Sequence, residues 1–494
     1  MVGPLSLHDL PEGLLHDLIG LVKSESNGIR GASKRLREAH DAKITAWNIR
    51  GQPPYASYSS ALRSSSSVLA TVLRSPNLRD ISIGDSDFEG DWGAYAYGSA
   101  VLRAMQSAGR ADDLHGLHLY GLGTPIAVTV TDDLSVSIRP FTALRTVSIN
   151  CFEDPSAARS ILAAVGSPLP HLTSFRLMEC SLMLSGPALS SALDRMPMLE
   201  DLSFNTCDLS VEAAAAIRHA PSALRRFKLT DFTYNGPHEV LATSINALIP
   251  RLEELDLTYC TGVMLGAGAG IVKLELIDPS YAVPTAFIND LAALTSLRSL
   301  KVGHADLDYF RLAAALSDLT GLTELFIMWG QIGADAATVL ASTLVCLSDL
   351  RSLTMAQTSL RPESVAALAG ALGRLTGLEK LCLCECTAEE ANAATADGGF
   401  GSEGAAELAT ALERMPCLTS VNLHSNNIGP AGLAAIAPSL AALTGLIDLD
   451  LSGNKLAGHG RHAALRTAVK ALTRLTGLDL KHNGLSADFF AELW

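Results

Sequence analysis

The chain has 494 residues, of which 48% are hydrophobic and only 5% aromatic, so burial rests on Leu, Ala, Val and Ile in many thin layers. A formal net charge of -14 at pH 7 repels phosphate and argues against nucleic acid or an anionic membrane as the partner. No run approaches the roughly 18 apolar residues that span a membrane, and the nine cysteines lack the spacing of a disulfide framework. We therefore expect a cytoplasmic protein, with nuclear or cytoskeletal association left open.

The N-terminal residues 1–49 are predicted to form a small helical segment. Asp9 can cap a helix that begins at Pro11, and an apolar stripe follows as far as Val22. A basic helix from Arg30 is predicted next, with Trp47 closing the segment.

This segment resembles an F-box, a three-helix segment that docks on the Skp1 subunit of cullin ubiquitin ligases. The resemblance is carried by the apolar spacing from Leu10 to Val22 and by the sequence Ala-Ser-Lys-Arg-Leu-Arg at 32–37. It implies that six residues lie on or beneath the docking surface: Leu10, Pro11, Leu14, Leu15, Ile19 and Val22. The alternative is a helical cap that shields the apolar edge of the first repeat, as solenoids require. Residues 50–77 are predicted to add a linking helix.

A repeated motif occupies the rest of the chain. The pattern L-x-x-L-x-L, with other apolar residues allowed at each L, begins fifteen times, and successive starts cluster on a spacing of 28 residues. The starts are Leu78, Leu114, Leu144, Leu172, Leu199, Leu224, Leu252, Ile271, Leu297, Leu322, Leu350, Leu378, Leu418, Leu446 and Leu475. Apolar and polar residues alternate at the end of the motif, as in Leu255-Asp256-Leu257, which predicts a strand with one buried face.

The remainder of each period predicts a helix, because Leu, Ile and Ala recur three and four residues apart. The clearest cases are Ser364–Leu375, Glu403–Met415 and Ala431–Leu443. Eight residues after a start, a buried turn needs a small side chain that bonds to the backbone. We expect Cys180, Cys207, Cys260, Cys386, Asn426, Asn454 and Asn483 to fill this position.

The period and the sequence Leu-His-Ser-Asn-Asn-Ile-Gly at 423–429 are similar to the ribonuclease-inhibitor-like subclass of leucine-rich repeat proteins. The resemblance implies an α/β solenoid, a horseshoe with a parallel concave sheet and convex helices, formed by about fifteen repeats over residues 78–494. The 40-residue spacing between Leu378 and Leu418 carries an acidic, Gly/Ala-rich insertion, predicted as a protruding loop at 387–400. The apolar C-terminal residues are predicted to cap the array.

No motif organises an active site. The triplet Cys382-x-Cys384-x-Cys386 lacks the two separated pairs typical of zinc sites. Strand alternation instead places Cys382 and Cys384 on the concave face and Cys386 in the buried turn. We therefore expect no catalytic residues, no metal and no cofactor.

The concave face is the candidate binding surface. Residues two, four and six positions after each start alternate with buried ones, and therefore face outward. The predicted partner-binding residues are Glu254, Asp256, Glu324, Phe326 and Met328, with Trp329 directly following. Clustered aromatic and Met side chains favour a protein contact; the alternative is that Phe326 and Trp329 pack under neighbouring loops.

These features favour a non-enzymatic protein-interaction scaffold. The F-box resemblance implies a sharper function, the substrate-recognition subunit of an SCF-type ubiquitin ligase. Two alternatives stay open: a structural or regulatory component of a large cytoskeletal or ciliary assembly, and a Ran-type GTPase-activating protein. The apolar end of the chain, where that last family has an acidic tail, disfavours the GTPase-activating function.

Overall fold

The computed structural model describes residues 46–49, 75–83, 92–120, 136–150, 169–179, 186–234, 236–257, 270–277, 285–304, 306–385, 399–457, 462–486 and 489. The predicted F-box-like residues lie outside these ranges: Leu10, Pro11, Leu14, Leu15, Ile19 and Val22. The predicted turn residues Cys180, Cys260 and Cys386 also lie outside them.

The chain divides into two compact units, each treated separately below. The first comprises Met1–Leu182 and Arg195–Leu199, and the second Met183–Asp194 and Glu200–Trp494.

Parallel strands in chain order form the sheet of the first unit. Those described are β1 (Ala46–Ile49), β2 (Asp80–Ile83), β3 (Gly116–Leu119), β4 (Thr146–Asn150) and β5 (Ser174–Met178), each paired with the next. Helix α1 (Trp92–Ser107) lies between β2 and β3 in the chain and buries Val101, Leu102 and Met105.

Strand β1 corrects one sequence expectation. Trp47 was expected to close a helical segment, but it lies in β1 and pairs with Ile81 of β2. The reason is visible in the sequence, since Ile44, Trp47 and Ile49 have the same spacing as the L-x-x-L-x-L motif. The parallel sheet therefore begins one motif earlier than the fifteen starts indicate.

The second unit continues the same architecture. The strands of its main sheet are parallel and pair with their neighbours in this order: β6 (Asp201–Asn205), β8 (Arg226–Thr230), β10 (Glu254–Asp256), β11 (Lys273–Ile277), β12 (Ser299–Gly303), β13 (Glu324–Met328), β14 (Ser352–Ala356), β15 (Lys380–Cys384), β16 (Ser420–Asn422), β17 (Asp448–Asp450) and β18 (Gly477–Asp479). Two short strands, β7 (Asp208–Leu209) and β9 (Thr233–Tyr234), form a separate parallel pair.

Helices alternate with these strands. They are α2 (Gly186–Leu193), α3 (Val211–Ala216), α4 (His238–Asn246), α5 (Thr285–Leu291), α6 (Tyr309–Leu316), α7 (Ala334–Leu344), α8 (Pro362–Leu372), α9 (Gly401–Leu412), α10 (Gly429–Ala442) and α11 (His462–Ala471). Successive helices from α5 to α11 pack against one another. Helices α8, α9 and α10 confirm the three clearest helix predictions, with bounds that differ by one to three residues at each end.

The core confirms the repeat register. Fourteen of the fifteen motif starts are buried, and Leu475 is half-buried. A strand begins two residues after every one of the fifteen starts. Leu255 and Leu257 are 1% and 3% exposed, whereas the Asp256 side chain between them is 14% exposed. The chain is therefore an α/β solenoid of strand–helix repeats.

A ladder of buried asparagines supports the last repeats. Asn454 donates from Nδ2 to the carbonyl oxygens of Leu423 (2.7 Å) and Leu451 (3.1 Å). Its Oδ1 accepts from the backbone amide of Asn426 at 2.8 Å. Asn483 repeats the arrangement one period later, since its Oδ1 accepts from the amide of Asn454 at 2.8 Å.

Cys207 occupies the equivalent position in an earlier repeat. It is buried, as predicted, and its thiol donates to the carbonyl oxygen of Asn205 at 3.2 Å.

The end of the predicted insertion is part of the core. Residues 387–398 lie outside the described ranges, but Phe400 is fully buried and precedes α9. A Cβ on Gly404 would lie 2.6 Å from Cβ of Phe400, so the helix approaches this ring through a glycine.

A turn with positive φ follows the strands. Seven residues after a start, the backbone is left-handed at Glu179, Thr206, Asp231, Trp329, Gln357, Glu385, Ser425, Gly453 and His482. This conformation is uncommon outside glycine. The recurrent turn thus sets the position of Trp329 at the end of β13.

Candidate functional site

The candidate site is the open face of the second unit, defined as the outward residues two, four and six positions after each start from Leu224 to Leu475, with the residue that follows position six. The site residues predicted on it are all half-buried: Glu254, Asp256, Glu324, Phe326, Met328 and Trp329. They alternate with fully buried residues such as Leu325 and Ile327. This geometry follows from the strand period of two.

Strand register places the predicted residues of β10 (Glu254 and Asp256) in the same rows across the sheet as those of β13 (Glu324 and Phe326). Across β10 to β13, one row runs Glu254, Lys273, Ser299, Glu324 and the next runs Asp256, Glu275, Lys301, Phe326. With strands spaced ~4.8 Å apart, the two groups lie on the order of 14 Å from each other. They belong to one surface but are not in direct contact.

An ion-pair belt runs along the second of these rows, from β8 to β12; we use this term for Lys228, Asp256, Glu275 and Lys301. Lys228 Nζ lies 3.6 Å from Asp256 Oδ2, and Lys301 Nζ pairs with Glu275 Oε1. Lys301 also lies over the ring of Phe326, 5.9 Å from its centroid. The belt carries two positive and two negative charges, so it is neutral on balance.

The charges within the belt keep Glu275 and Lys301 ionised. Burial favours the neutral form of Glu275, but the hydrogen bond and charge of Lys301, aided by Asp256 and Lys273, keep the pKa of Glu275 below its usual value. Burial likewise opposes the charge on Lys301, yet Glu275, Glu324 and Asp256 hold the pKa of Lys301 above its usual value. Both groups are therefore ionised near neutral pH.

The apolar patch adjoins this belt; we use the name for Phe326, Met328 and Trp329. Met328 has Gly303 and Ala356 as its register partners on either side. A Cβ on Gly303 would lie 3.0 Å from Cβ of Met328 and 3.3 Å from Cε3 of Trp329. Met328 and Trp329 therefore lie close together, packed against the backbone of Gly303.

Backbone hydrogen bonds fix Trp329. Its amide donates to the carbonyl oxygen of Ala356 at 3.0 Å, and its own carbonyl oxygen accepts from Tyr309 Oη at 2.8 Å. Tyr309 is buried in α6, and burial raises the pKa of its phenol, which therefore stays a donor. The indole is presented from a rigid backbone rather than from a free loop.

Polar side chains continue the open face over β16 to β18. His424 Nδ1 lies 2.8 Å from Ser452 Oγ, which in turn lies 2.5 Å from Asp450 Oδ1. His424 Nε2 lies 3.6 Å from Glu385 Oε1. The Ser452 hydroxyl donates its proton to the Asp450 carboxylate and not to His424, whereas a catalytic triad requires the serine proton to point at the imidazole.

Cys382, Cys384 and His424, three residue types that can bind metals, share this end of the sheet. Within the ranges that the structure describes, no group of three His, Cys, Asp or Glu side chains is placed to hold a metal ion. His424 instead contacts Ser452 and Glu385.

A second feature was not predicted from sequence. A pocket of about 390 Å³ lies between the N-terminal ends of α6 and α7, lined by Asp308, Phe310 and Asp335 among others. Phe310 is 52% exposed. Nothing in the repeat pattern marks Phe310, since the helix period places it on the solvent side.

The belt partners Lys228 and Lys301 also escaped the sequence prediction of the site. Each stands four residues after a start, at Leu224 and Leu297, so the same rule that selected Asp256 would have found them. The pairing of Lys301 with Glu275 depends on which rotamers meet across strands, which spacing does not reveal.

A family model matches part of the repeat array. The family described as Leucine Rich repeat matches residues 414–437, which span the end of one repeat and the strand and helix start of the next. A crystal structure titled as a TLR13–ssRNA13 complex is similar at 14% identity and a TM-score of 0.38, covering 84% of this chain. The match spans 63% of that chain's length. No curated protein matches the chain. Among the described residues, no helix is long and apolar enough to cross a membrane.

Proposed function

We propose that this chain is a protein-interaction scaffold whose open face binds a protein segment. The observation that carries the proposal is the apolar patch of Phe326, Met328 and Trp329, half-exposed beside the charged belt. Aromatic and Met side chains surrounded by polar groups are typical of the centre of a protein interface. Leucine-rich repeats, which the sequence period supports, present such a surface along consecutive strands.

The chemistry of the partner follows from the residues around the patch. The apolar side chains of Phe326, Met328 and Trp329 favour a partner with an apolar anchor residue. Carboxylates at Glu385, Asp448 and Asp450 lie toward the C-terminal strands, and the whole chain carries a charge of -14. We therefore infer a segment that combines an apolar anchor with basic residues.

The belt sets the position of the partner. Its charges are already paired within the sheet, so a partner that separated them would have to replace those contacts. Binding directly on the apolar patch avoids this penalty. The belt thus forms a polar rim on one side of the patch.

We further propose, on the sequence resemblance of residues 10–22 and 32–37 to an F-box, that the N-terminal segment docks on Skp1. In this form the chain would be a ribonuclease-inhibitor-like substrate receptor of a cytoplasmic SCF-type ubiquitin ligase. Its open face would hold the substrate. A structural role in a large assembly is the alternative, and recovery of a GTPase would favour the Ran-type function.

Co-purification with site-specific crosslinking tests these proposals. A photoreactive benzophenone amino acid replaces Met328 on the open face, or Val339 on the exposed side of α7 as the matched control. Crosslinks from position 328 to a protein that also co-purifies with the wild-type chain support the open face; equal crosslinking from 339 contradicts it. Replacing Pro11 and Leu14 should abolish Skp1 recovery and leave the position 328 crosslink intact. If wild-type chain recovers no Skp1, the F-box proposal fails and the open-face proposal stands separately.

A further inference from the structure

Cys382 and Cys384 form a close thiol pair on the open face. They are two residues apart in β15, so strand alternation points both side chains to the same side. Both are half-buried. Their register neighbours on β14 are Thr354 and Ala356.

The two sulfur atoms are in direct contact. Cys382 Sγ lies 2.8 Å from Cys384 Sγ, which is a thiol–thiol hydrogen bond. This bond lowers the pKa of the Cys384 thiol, although burial and the nearby carboxylates of Glu385 and Asp450 act in the opposite direction. One sulfur of the pair is thus the better nucleophile, and the other is placed to react with it next.

A bond between the two sulfur atoms requires β15 to bend locally. A rise of about 3.3 Å per residue separates the two Cα atoms by about 6.6 Å, and the Cβ atoms, which leave the strand on the same side, must approach to about 3.5–4.5 Å in a disulfide. A disulfide formed with this distortion is strained and readily reduced. The geometry therefore suits a reversible bond and not a permanent structural one.

We propose that Cys382 and Cys384 are a redox modification site that a hydroperoxide converts reversibly into an intrastrand disulfide. The Cys384 thiolate attacks one peroxide oxygen, the O–O bond breaks, and the departing alkoxide or hydroxide takes up a proton. Cys384 becomes a sulfenic acid. The Cys382 sulfur then attacks the Cys384 sulfur, the S–S bond forms and water leaves. In total, two thiols and one hydroperoxide give one disulfide, one alcohol (or water) and one water.

A test must distinguish the reaction of Cys386, the third cysteine of the triplet, from that of Cys382 and Cys384. Cys386 lies outside the described residues, and a tryptic peptide from Leu381 to Arg414 contains all three thiols. The test therefore uses the full chain carrying Cys386→Ser. Cys346 and Cys417, which are exposed cysteines elsewhere in the same unit, serve as internal controls.

The reduced chain is treated with hydrogen peroxide, quenched with N-ethylmaleimide at intervals and digested for mass spectrometry. The peptide should lose both alkylation sites together, with a mass decrease of two hydrogens, at least about tenfold faster than Cys346 or Cys417 react. Dithiothreitol should restore both sites. The proposal would be overturned if Cys382 and Cys384 reacted no faster than Cys346 and Cys417. It would also be overturned if the wild-type chain formed a disulfide in this peptide and the Cys386→Ser chain did not.

A second pair of measurements guards against misfolding. Cys382→Ser should stop the reaction at a Cys384 sulfenic acid that dimedone traps, with circular dichroism and thermal unfolding unchanged. Phenylarsine oxide, which bridges neighbouring thiols, should bind the Cys386→Ser chain in one equivalent and should not bind after Cys382→Ser or Cys384→Ser. Equal binding by the serine variants would show that these two sulfurs are not the pair.

Discussion

Single residues carry the stability of the turns, and Asn454 shows how. Its side chain is fully buried, donates to three backbone carbonyl oxygens and accepts from two backbone amides. Because Asn454→Ala leaves those groups buried and without this partner, we expect the free energy of unfolding to fall by about 1–3 kcal/mol. Urea titration measures the change. Asn289→Ala, at an exposed residue of α5, should change the free energy of unfolding by less than about 0.5 kcal/mol.

Gly303 is the residue on which the apolar patch depends most closely. In Gly303→Ala, the new Cβ would meet the Met328 carbonyl oxygen at 2.9 Å. We expect β13 to shift and the protein to lose about 1–3 kcal/mol of stability. Gly370→Ala is the matched control: it lies in the interior of α8 with nothing within 4 Å of the new Cβ, and it should stabilise by about 0.5–1 kcal/mol. Equal effects of the two variants on thermal unfolding would contradict the close contact at Gly303.

At the scale of elements, the pair Glu275–Lys301 links β11 to β12 and predicts a pH dependence. Because the pKa of Glu275 is lowered in the folded protein, its contribution to the free energy of unfolding is complete above pH 4.5, the ordinary pKa of the group. This contribution is lost as the pH falls through the lower pKa of the folded state. Because the pKa of Lys301 is raised in the folded protein, its contribution to the free energy of unfolding is complete below pH 10.5, the ordinary pKa of the group. This contribution is lost as the pH rises through the higher pKa of the folded state. The pair therefore stabilises the sheet across the whole neutral range.

Lys301→Met tests this contribution. Because the pair is partly open to solvent, the variant should lose only about 1 kcal/mol of unfolding free energy near pH 7. Its difference from wild type should shrink in strong acid and in strong base. Lys481→Met removes a fully exposed partner of Asp479 and should leave stability unchanged at every pH. A Lys301→Met difference independent of pH would contradict the ionic origin.

Elements were predictable from sequence where the repeat pattern determines them. The strand after each motif start follows from apolar spacing alone, because a slip of one residue would expose residues such as Leu255. Strand β1 was missed because its short apolar run followed a basic helical pattern, although Ile44, Trp47 and Ile49 keep the motif. The two-residue strands β7 and β9 have no periodic signal at all.

The open-face residues were predictable for the same reason, since alternation places Asp256 and Phe326 outward. Their interactions were not. The contact between Lys301 and Glu275 and the anchoring of Trp329 by Tyr309 join residues from different repeats. Side-chain rotamers and loop conformation decide such contacts, and a one-dimensional spacing rule contains neither.

At the scale of the whole molecule, repeat architecture predicts that damage stays local. Leu433 in α10 is 1% exposed, and Leu433→Ala should cost about 2–5 kcal/mol in its own repeat. Each repeat of a solenoid is stabilised mainly by its neighbours. Native-state hydrogen exchange should therefore show lost amide protection over 401–486, while residues 201–230 keep theirs. Uniform loss across the second unit would mean that it unfolds as one cooperative block.

Binding of a protein partner by the apolar patch can be measured as the dissociation constant of the crosslinked partner. Phe326→Ala combined with Trp329→Ala should raise that constant at least about tenfold, because aromatic residues at an interface centre carry most of its energy. Phe310→Ala, an exposed aromatic of the α6–α7 pocket, should change the constant less than about twofold. Unchanged affinity in the folded double variant would contradict the account, and a tenfold loss from Phe310→Ala alone would move the binding site to that pocket.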